Sequence, residues 1–284
     1  MKCDLCPNLC GVDRKISLGR CGAGDTVKIA KYYLHKYEEP CISGSKGSGT
    51  VFFCGCSLKC AFCQNYELSR VKRGKDISVH ELADIFRVLE EQGAENINLV
   101  TPTHYADKIM RAIDIYKPLI PVVYNTHGYE NLSSLCAVDK YVDVYLPDLK
   151  FFSPEVSERY TGIKNYFDVA AKAIEFMAKK PLIWGENGMM KKGTLVRHLL
   201  LPLNLSDSKK IIDFLAELKD KVYISLMSQY TPFGEIKNFP ELKRKVTKRE
   251  YESLIDYALS KGITNMFYQK LSSAEETYIP RWDF

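Results

Sequence analysis

Short apolar runs alternate along this chain with segments whose apolar residues recur at helical spacing. Six runs predict buried β-strands, at residues 51–53, 97–100, 121–124, 141–146, 194–201 and 222–227. A further strand is predicted at residues 27–33, ahead of a glycine-rich stretch, 43–50, that predicts a turn. That stretch lacks the pattern of a phosphate-binding P-loop, and it precedes a strand rather than opening a helix.

Helical periodicity fills the intervals between these strands. Ser78 and Glu81 carry the signature of a capping box, and apolar residues follow at positions 82, 85, 86 and 89 before Gly93. Further helices are predicted around 110–113, at 132–136, at 168–179 and around 211–218. Thr247 and Glu250 predict a second capping box, at the start of one more helix. Because strands and helices alternate, the sequence predicts parallel βα units, hence the α/β class and a partial (β/α)6 barrel.

Polar side chains lie at the C-terminal ends of several predicted strands. They are Thr103, Asn125, Thr126, Asp148, Lys150, Arg197 and His198. In a βα barrel the reactive groups lie at the C-terminal ends of the strands, so we expect these side chains to converge on one mouth.

Three cysteines, Cys56, Cys60 and Cys63, follow the strand at 51–53 with C-x3-C-x2-C spacing. A cubane iron–sulfur cluster normally takes four cysteine thiolates, so three on one loop leave an iron open to a substrate or cofactor. The alternative is a zinc site closed by Cys54 as fourth ligand. Phe62, between the second and third of these cysteines, can offer a flat face to an aromatic group of a ligand.

The three-cysteine motif resembles that of the radical S-adenosylmethionine (SAM) enzymes. The longer run from His35 to Asn65 is similar to the branch of pyruvate formate-lyase activating enzymes, and more closely to paralogues with an additional N-terminal four-cysteine motif. This resemblance, which extends from residue 3 to about residue 232, implies a TIM-like partial (β/α)6 barrel of the radical SAM type.

The resemblance also implies the cofactors. They are a [4Fe-4S] cluster held by Cys56, Cys60 and Cys63, and S-adenosyl-L-methionine chelating the fourth iron through its amino and carboxylate groups. One electron, from a donor such as flavodoxin or ferredoxin, then cleaves the sulfonium C–S bond to give methionine and a 5′-deoxyadenosyl radical.

Several strand-end residues match motifs of the activating enzymes that hold SAM. Asp148 and Lys150 match a D-x-K motif; Asn125 and Thr126 match a T-N-G-like turn, in a different order; and Arg197 and His198 match an R-H or R-Y strand. The chain departs from the family where a G-G-E run binds the SAM amine, because Thr101-Pro102-Thr103 stands there. The resemblance therefore implies that Thr103 or a backbone carbonyl holds the amine instead.

The N-terminal segment, residues 1–49, contains four further cysteines, Cys3, Cys6, Cys10 and Cys21. A loop-rich segment with several glycines buries little core, so a bound metal is expected to stabilise its fold. Zinc and a second iron–sulfur cluster both accept four thiolates, and Cys41 is an alternative ligand. We interpret residues 1–49 as a Cys-rich metal-binding segment and residues 50–284 as the radical SAM core domain with a C-terminal extension.

Composition narrows the cellular context. The net charge of +5 is modest, and one basic cluster at 243–249 is typical of a solvated face, so no nucleic-acid binding is predicted. Ten cysteines without a signal sequence or a run of membrane-spanning length predict metal chemistry in the cytoplasm and no membrane association.

Three hypotheses for the function follow. The first is a radical enzyme that abstracts a hydrogen atom, with a glycyl radical enzyme as partner. The second is a radical enzyme acting on a small molecule or a peptide, with an auxiliary N-terminal cluster. The third is a non-catalytic metal-binding interaction protein. A hydrolase barrel with His104, His127 and His198 as metal ligands is disfavoured, since no H-x-H follows the first strand.

Overall fold

An open, mostly parallel β-sheet forms the centre of the computed structural model, which describes residues 2–70 and 73–269. The strands of the described residues are β1 (Val27–His35), β2 (Ser48–Phe53), β3 (Lys75–Ile77), β4 (Ile97–Val100), β5 (Val122–Thr126), β6 (Val144–Pro147), β7 (Ile183–Trp184), β8 (Met190–Leu199), β9 (Tyr223–Met227) and β10 (Met266–Tyr268). Their spatial order is β10-β9-β8-β6-β5-β4-β2-β1-β3, with β7 paired to β8.

Helices connect the parallel strands. They are α1 (Pro40–Ser43), α2 (Tyr66–Arg70), α3 (Val79–Glu91), α4 (Ala106–Ile115), α5 (Leu132–Val138), α6 (Pro154–Thr161), α7 (Tyr166–Met177), α8 (Leu205–Glu217) and α9 (Lys248–Ser260). Three short 3₁₀ turns lie at Thr103–Tyr105, Asp139–Tyr141 and Pro240–Lys243. None of the helices in the described part of the chain is long and apolar enough to cross a bilayer.

The architecture confirms the predicted α/β class with its parallel βα repeat. The six strands expected from the apolar runs correspond to β2, β4, β5, β6, β8 and β9, which pair in parallel, and β10 continues the sheet beyond β9. The strand order does not return to its start, so the sheet stays open, as in a partial barrel. Both predicted capping boxes, at Ser78 and Thr247, are present.

The glycine-rich stretch contains the predicted turn, at residues 44–46, and its last three residues begin β2. In β2 the Gly49 N–H donates to the Asn96 carbonyl at 2.9 Å. A Cβ at Gly49 would lie only 2.8 Å from that carbonyl oxygen, so glycine here permits a close approach of two backbones. The glycines therefore predict the turn correctly but not the start of the strand.

Helix α6 and the β7–β8 hairpin were not predicted. Helix α6 nevertheless begins with Pro154 in its first turn and ends at Gly162, which is left-handed with φ 72°. Both signals stand in the sequence, but the helix has only eight residues and few apolar positions, so periodicity alone does not reveal it.

Strand β1 continues the sheet across the predicted boundary at residue 49. It pairs antiparallel with β2 on one side and with β3 on the other. Residues 2–26 contain no helix in the structure and only one isolated bridge, between Lys2 and Asp13. The division into residues 1–49 and 50–284 stays a prediction.

Helix α3 anchors one half of the hydrophobic core, and a leucine pair tests its contribution. Leu82 of α3 is fully buried, whereas Leu119 is 93% exposed. We expect Leu82→Ala to lower the free energy of unfolding by about 2–5 kcal/mol because it leaves a cavity in packed apolar surroundings. The matched change Leu119→Ala is expected to cost less than about 0.5 kcal/mol. Equal midpoints of the two variants in chemical denaturation would contradict this account of the core.

Candidate functional site

The three-cysteine loop lies at the C-terminal edge of the sheet, between β2 and α2. The side chains of Cys56, Cys60 and Cys63 line one cavity of about 210 Å³, called here the front cavity. Burial raises the pKa of the Cys60 thiol, and the neighbouring thiols Cys63 and Cys56 raise it further. The structure thus brings the three predicted ligands together at the mouth where reactive groups were expected.

Backbone hydrogen bonds hold this loop from several sides. The Ala61 N–H donates to the Tyr160 carbonyl at 2.8 Å, and the Ala61 carbonyl accepts from the Glu235 N–H at 2.9 Å. Lys59 has a left-handed backbone with φ 55°, and its carbonyl accepts from Arg70 at 2.6 Å. A loop held through its backbone leaves its thiol side chains free for a metal centre.

Phe62 lines the front cavity among other aromatic rings. Its ring makes edge contacts with Phe151, Tyr160 and Tyr230, at centroid distances of 5.9, 5.9 and 6.3 Å. These contacts fix the orientation of the ring.

A charged network faces the loop across the front cavity, and Arg197 is at its centre. The Arg197 guanidinium donates to Glu38 at 3.0 Å, to Asp148 at 2.8 Å and to the Asn125 side-chain oxygen at 2.7 Å. Asn125 donates in turn to Glu38 at 3.1 Å, and the Lys150 ammonium donates to Asp148 at 2.6 Å. The structure therefore brings Asn125, Asp148, Lys150 and Arg197 together, as predicted for the strand ends.

The network sets the charges of its members. Burial alone would raise the pKa of Asp148, but Arg197 and Lys150 outweigh it and hold that pKa below its usual range. Burial likewise works against the charged form of Lys150, yet Asp148 raises its pKa. The cavity wall thus carries both a carboxylate and an ammonium group at neutral pH.

Glu38 is the network member that the strand-end pattern missed. It follows β1, which is antiparallel to its neighbours, so a search of the C-terminal ends of the parallel strands does not reach it. Its side chain is only 11% exposed, and it lines the front cavity. The available signal was the acidic pair Glu38-Glu39, because a buried carboxylate requires a cationic partner.

Thr126 reaches the front cavity, whereas Thr103 does not line it. Thr103 is fully buried, and its hydroxyl donates to a carboxylate oxygen of Glu130 at 2.5 Å; the Thr126 hydroxyl donates to the same oxygen. The second oxygen of Glu130 has no hydrogen-bond partner among the described residues. The structure thus places Thr103 beside a buried carboxyl group rather than beside the cavity.

Thr101 marks the departure from the family motif. It lines the front cavity with φ 59°, a left-handed conformation that is unusual for a β-branched residue. A left-handed conformation at a β-branched residue in a cavity wall stores backbone strain at the site.

The three histidines are held separately. His198 contacts the Leu149 carbonyl through Nδ1 and the Ser208 hydroxyl through Nε2, and it does not line the front cavity. His104 Nε2 contacts the Cys54 carbonyl at 2.8 Å, and His127 Nε2 contacts the Ser57 hydroxyl at 2.8 Å. This arrangement does not support a hydrolase site built from the three rings.

The four N-terminal cysteines are neighbours of one another. Burial raises the pKa of Cys6 to about 11, with smaller contributions from the nearby thiols Cys21 and Cys3. The thiols of Cys10 and Cys21 both lie within 3.5 Å of the position that a Gly19 Cβ would occupy. Across the described residues, no three His, Cys, Asp or Glu side chains already stand in ligating geometry, here or at the three-cysteine loop.

Cys41 and Cys54 do not line the front cavity with the three-cysteine loop. Cys41 is buried in an apolar cluster with Val144 and Leu195. The Cys54 thiol donates to the Arg73 carbonyl at 2.9 Å, and Cys54 does not line the front cavity. The three-thiol donor set facing one cavity is consistent with a cluster that keeps one iron open, and it gives no support to Cys54 as a fourth ligand.

The chain combines an open, mostly parallel sheet with a cysteine loop and a charged network at the C-terminal edge of that sheet. This is the edge at which partial βα barrels bind their cofactors. The sequence profile of the Radical SAM superfamily matches residues 50–215. The chain therefore belongs to the radical SAM superfamily, whose members use a [4Fe-4S] cluster and SAM.

Two relatives support this assignment. An uncharacterized protein of Methanocaldococcus jannaschii is 31% identical over 266 residues, which cover 90% of this chain and 74% of that protein. The pyruvate formate-lyase-activating enzyme of Clostridium pasteurianum is 26% identical over 198 residues, covering 65% of this chain and 75% of that enzyme.

Solved structures of Streptococcus suis SuiB share the fold. The structure bound to S-adenosylmethionine matches with a TM-score of 0.51 and 16% identity, covering 78% of this chain and 47% of SuiB. The structure bound to the precursor peptide SuiA matches with a TM-score of 0.53 and 16% identity, covering 77% of this chain and 48% of SuiB. The chain thus spans about half the length of SuiB.

The buried carboxyl of Glu130 predicts a pH dependence of stability. Burial raises its pKa from the ordinary 4.5 to about 7, so the folded state keeps a proton that the unfolded chain releases near pH 4.5. The free energy of unfolding should therefore fall as the pH rises between about 4.5 and 7, by about 3 kcal/mol in total. Glu130→Gln should lack this component, which urea unfolding of both proteins across that range measures. Parallel pH profiles would show that Glu130 does not titrate in this way.

Proposed function

We propose that this protein is an enzyme that reductively cleaves S-adenosyl-L-methionine at a [4Fe-4S] cluster held by Cys56, Cys60 and Cys63. The observation that carries the proposal is that three thiols of one loop share a cavity with a buried charged network, in a chain of the radical SAM superfamily. When bound, the cluster supplies the electron that splits the sulfonium C–S bond, giving methionine and a 5′-deoxyadenosyl radical. The residues of the chain bind and orient SAM and exclude water.

The charged network offers a partner for each polar group of SAM. Lys150 and Arg197 present cationic donors to its carboxylate, and Asp148 and Glu38 present acceptors to its amine. Glu38 suits this role better than Thr103, because Glu38 lines the front cavity whereas Thr103 is engaged with Glu130. Asn125 and Thr126 also line the front cavity, and each keeps part of its hydrogen-bonding capacity for a ribose hydroxyl: Asn125 uses one N–H on Glu38, and the Thr126 hydroxyl, which donates to Glu130, can still accept.

The relatives and the N-terminal segment support two candidate substrates. Similarity to the activating enzyme of Clostridium pasteurianum supports abstraction of a glycyl hydrogen from a partner enzyme. The second candidate is a peptide or a small molecule, with Cys3, Cys6, Cys10 and Cys21 holding an auxiliary iron–sulfur cluster; a structural zinc ion at these cysteines belongs with the first candidate. The second candidate is favoured because the N-terminal segment contacts the three-cysteine loop directly: the Cys56 N–H donates to the Cys21 carbonyl at 3.1 Å. The fold neighbour SuiB was solved with a precursor peptide.

The cellular setting stays a prediction. A flavodoxin or ferredoxin as electron donor, a cytoplasmic location, and the lack of nucleic-acid and membrane partners are inferred from family and composition.

Replacement of a loop cysteine tests the cleavage chemistry. We expect Cys60→Ala to abolish the release of 5′-deoxyadenosine from SAM under dithionite, because the cluster loses one of its three thiolates. Cys136→Ala is the matched control, since Cys136 is exposed on α5, and it should keep full activity. The measurement is the amount of 5′-deoxyadenosine formed anaerobically per chain. Full product from the Cys60 variant would refute the proposed function.

Metal analysis separates the two substrate candidates. An intact protein with two cubane clusters contains about eight irons per chain, and Cys3→Ala/Cys6→Ala/Cys10→Ala/Cys21→Ala should then retain about four. That result identifies an auxiliary cluster and supports a peptide or small-molecule substrate. Loss of zinc alone, with about four irons kept throughout, supports a structural segment and the glycyl radical partner. An unchanged metal content would show that these four cysteines bind no metal.

A further inference from the structure

A second cavity lies behind the three-cysteine loop. It has a volume of about 430 Å³ and is called here the rear cavity. The two cavities share no lining residue: Cys56 and Cys60 line the front cavity, whereas Gly55 and Lys59 of the same loop line the rear one. A molecule in the rear cavity is therefore separated by the loop from the side on which SAM is proposed to bind.

Positive charge dominates the rear cavity. Its cationic lining residues are Arg14, Lys15, Lys28, Lys59 and Arg70, and its acidic ones are Asp25 and Asp76. Each acid already has a cation, because Asp25 pairs with Lys108 and Asp76 pairs with Lys28, both at 2.8 Å. The remaining cations form an excess that attracts anionic groups.

The two arginines of the rear cavity differ in their partners. Arg14 donates to the carbonyls of His104 and Gly24, both at 2.5 Å, whereas Arg70 donates to the Lys59 carbonyl and also lies 3.7 Å from the exposed carboxylate of Glu235. The Nε atoms of both arginines are buried without a hydrogen-bond partner among the described residues. A guanidinium group held by carbonyls, as that of Arg14 is, keeps its charge for an external carboxylate.

The rim of the rear cavity is apolar as well as basic. Leu18, which lines the cavity, and Ile16 are exposed, and Lys15 stands beside them. Exposed apolar side chains next to cations are characteristic of a protein-binding surface rather than of a pocket for a small anion.

The rear cavity lies one hydrogen bond from the three-cysteine loop. Cys21 lines it, and the Cys21 carbonyl accepts from the Cys56 N–H at 3.1 Å. Covalent geometry then places the two sulfur atoms within about 12 Å of each other. Gly55, with φ 92°, permits this contact, since a Cβ there would lie 2.7 Å from the Cys21 carbonyl oxygen.

We propose that the rear cavity and its rim, Lys15, Ile16 and Leu18, form the docking surface for an acidic one-electron donor protein. The proposal rests on the proposed function, which requires one electron for each SAM cleaved. In this step the reduced donor loses one electron and the centre at Cys56, Cys60 and Cys63 gains it, with no bond made or broken. The N-terminal segment builds this surface, so it connects the donor with the loop.

Charge reversal on the rim tests the proposal in the holoenzyme. The variant Lys15→Glu/Ile16→Ser changes two exposed side chains, and the matched control Lys221→Glu/Leu119→Ser makes an equivalent exchange at exposed positions elsewhere. We expect the rim variant to bind a flavodoxin about tenfold more weakly than the unmodified enzyme at low salt, with the control unchanged. Titration calorimetry gives the dissociation constants, and at about 0.5 M salt the difference should shrink.

Activity with two reductants separates this proposal from the proposed function. The rim variant should release 5′-deoxyadenosine more slowly with reduced flavodoxin and at the original rate with dithionite. Equal flavodoxin affinity in the rim and control variants would overturn the docking surface while leaving the proposed function intact. A single-stranded RNA that binds as tightly as flavodoxin, and that loses affinity in the rim variant, would also overturn it. Failure of the unmodified enzyme with dithionite would instead refute the proposed function.

Discussion

The pairing of buried charges around Arg197 is the constraint on which the rest of the site depends. Glu38 and Arg197 are only 11% and 12% exposed, so each needs an opposite charge at hydrogen-bond distance. The partners come from the segment after β1 and from the ends of β5, β6 and β8. Removing one member would leave its partners buried and unpaired, which is more costly than losing a surface ion pair. The network therefore fixes four chain segments relative to one another at the cavity mouth.

The cysteine loop is tied to this network through Lys150 and Tyr166. The Tyr166 hydroxyl accepts from the Lys150 N–H at 3.0 Å and lies 2.8 Å from the carbonyl oxygens of both His127 and Asp148. The Lys150 ammonium pairs with Asp148, and its charge favours the thiolate form of Cys60. The buried Tyr166 hydroxyl thus holds the backbone at residue 150, and this backbone positions the Lys150 ammonium beside the thiols. The effect of Lys150, which opposes the rise in the pKa of Cys60 caused by burial, therefore comes from the edge of the sheet and not from the loop alone.

Features that depend on residues close together in the chain could be predicted from the sequence, whereas features that depend on long-range packing could not. Apolar runs, capping boxes and the tight cysteine spacing each act within a few residues, so six strands and the three-cysteine loop were predictable. Glu38 and Arg197 are far apart in the chain, and their pairing arises only when β1 adds antiparallel to the sheet. Thr103 and His198 follow predicted strands, but their polar atoms are satisfied by Glu130 and Ser208. Sequence position alone does not distinguish a polar group facing a cavity from one facing a buried partner.

The N-terminal residues contact the three-cysteine loop directly. Residues 2–26 have only an isolated bridge of their own and make polar contacts with the rest of the fold: Asn8 donates to the Ser57 carbonyl, and Arg14 donates to the His104 carbonyl and lies over the Tyr105 ring. These contacts reach the cysteine loop and the end of β4, and two more reach the start of α5, where Asn131 donates to the Asp4 carbonyl and Ser134 donates to the Leu5 carbonyl. The Cys56 N–H donates to the Cys21 carbonyl at 3.1 Å, so the position of the three-cysteine loop and the position of the N-terminal residues depend on each other.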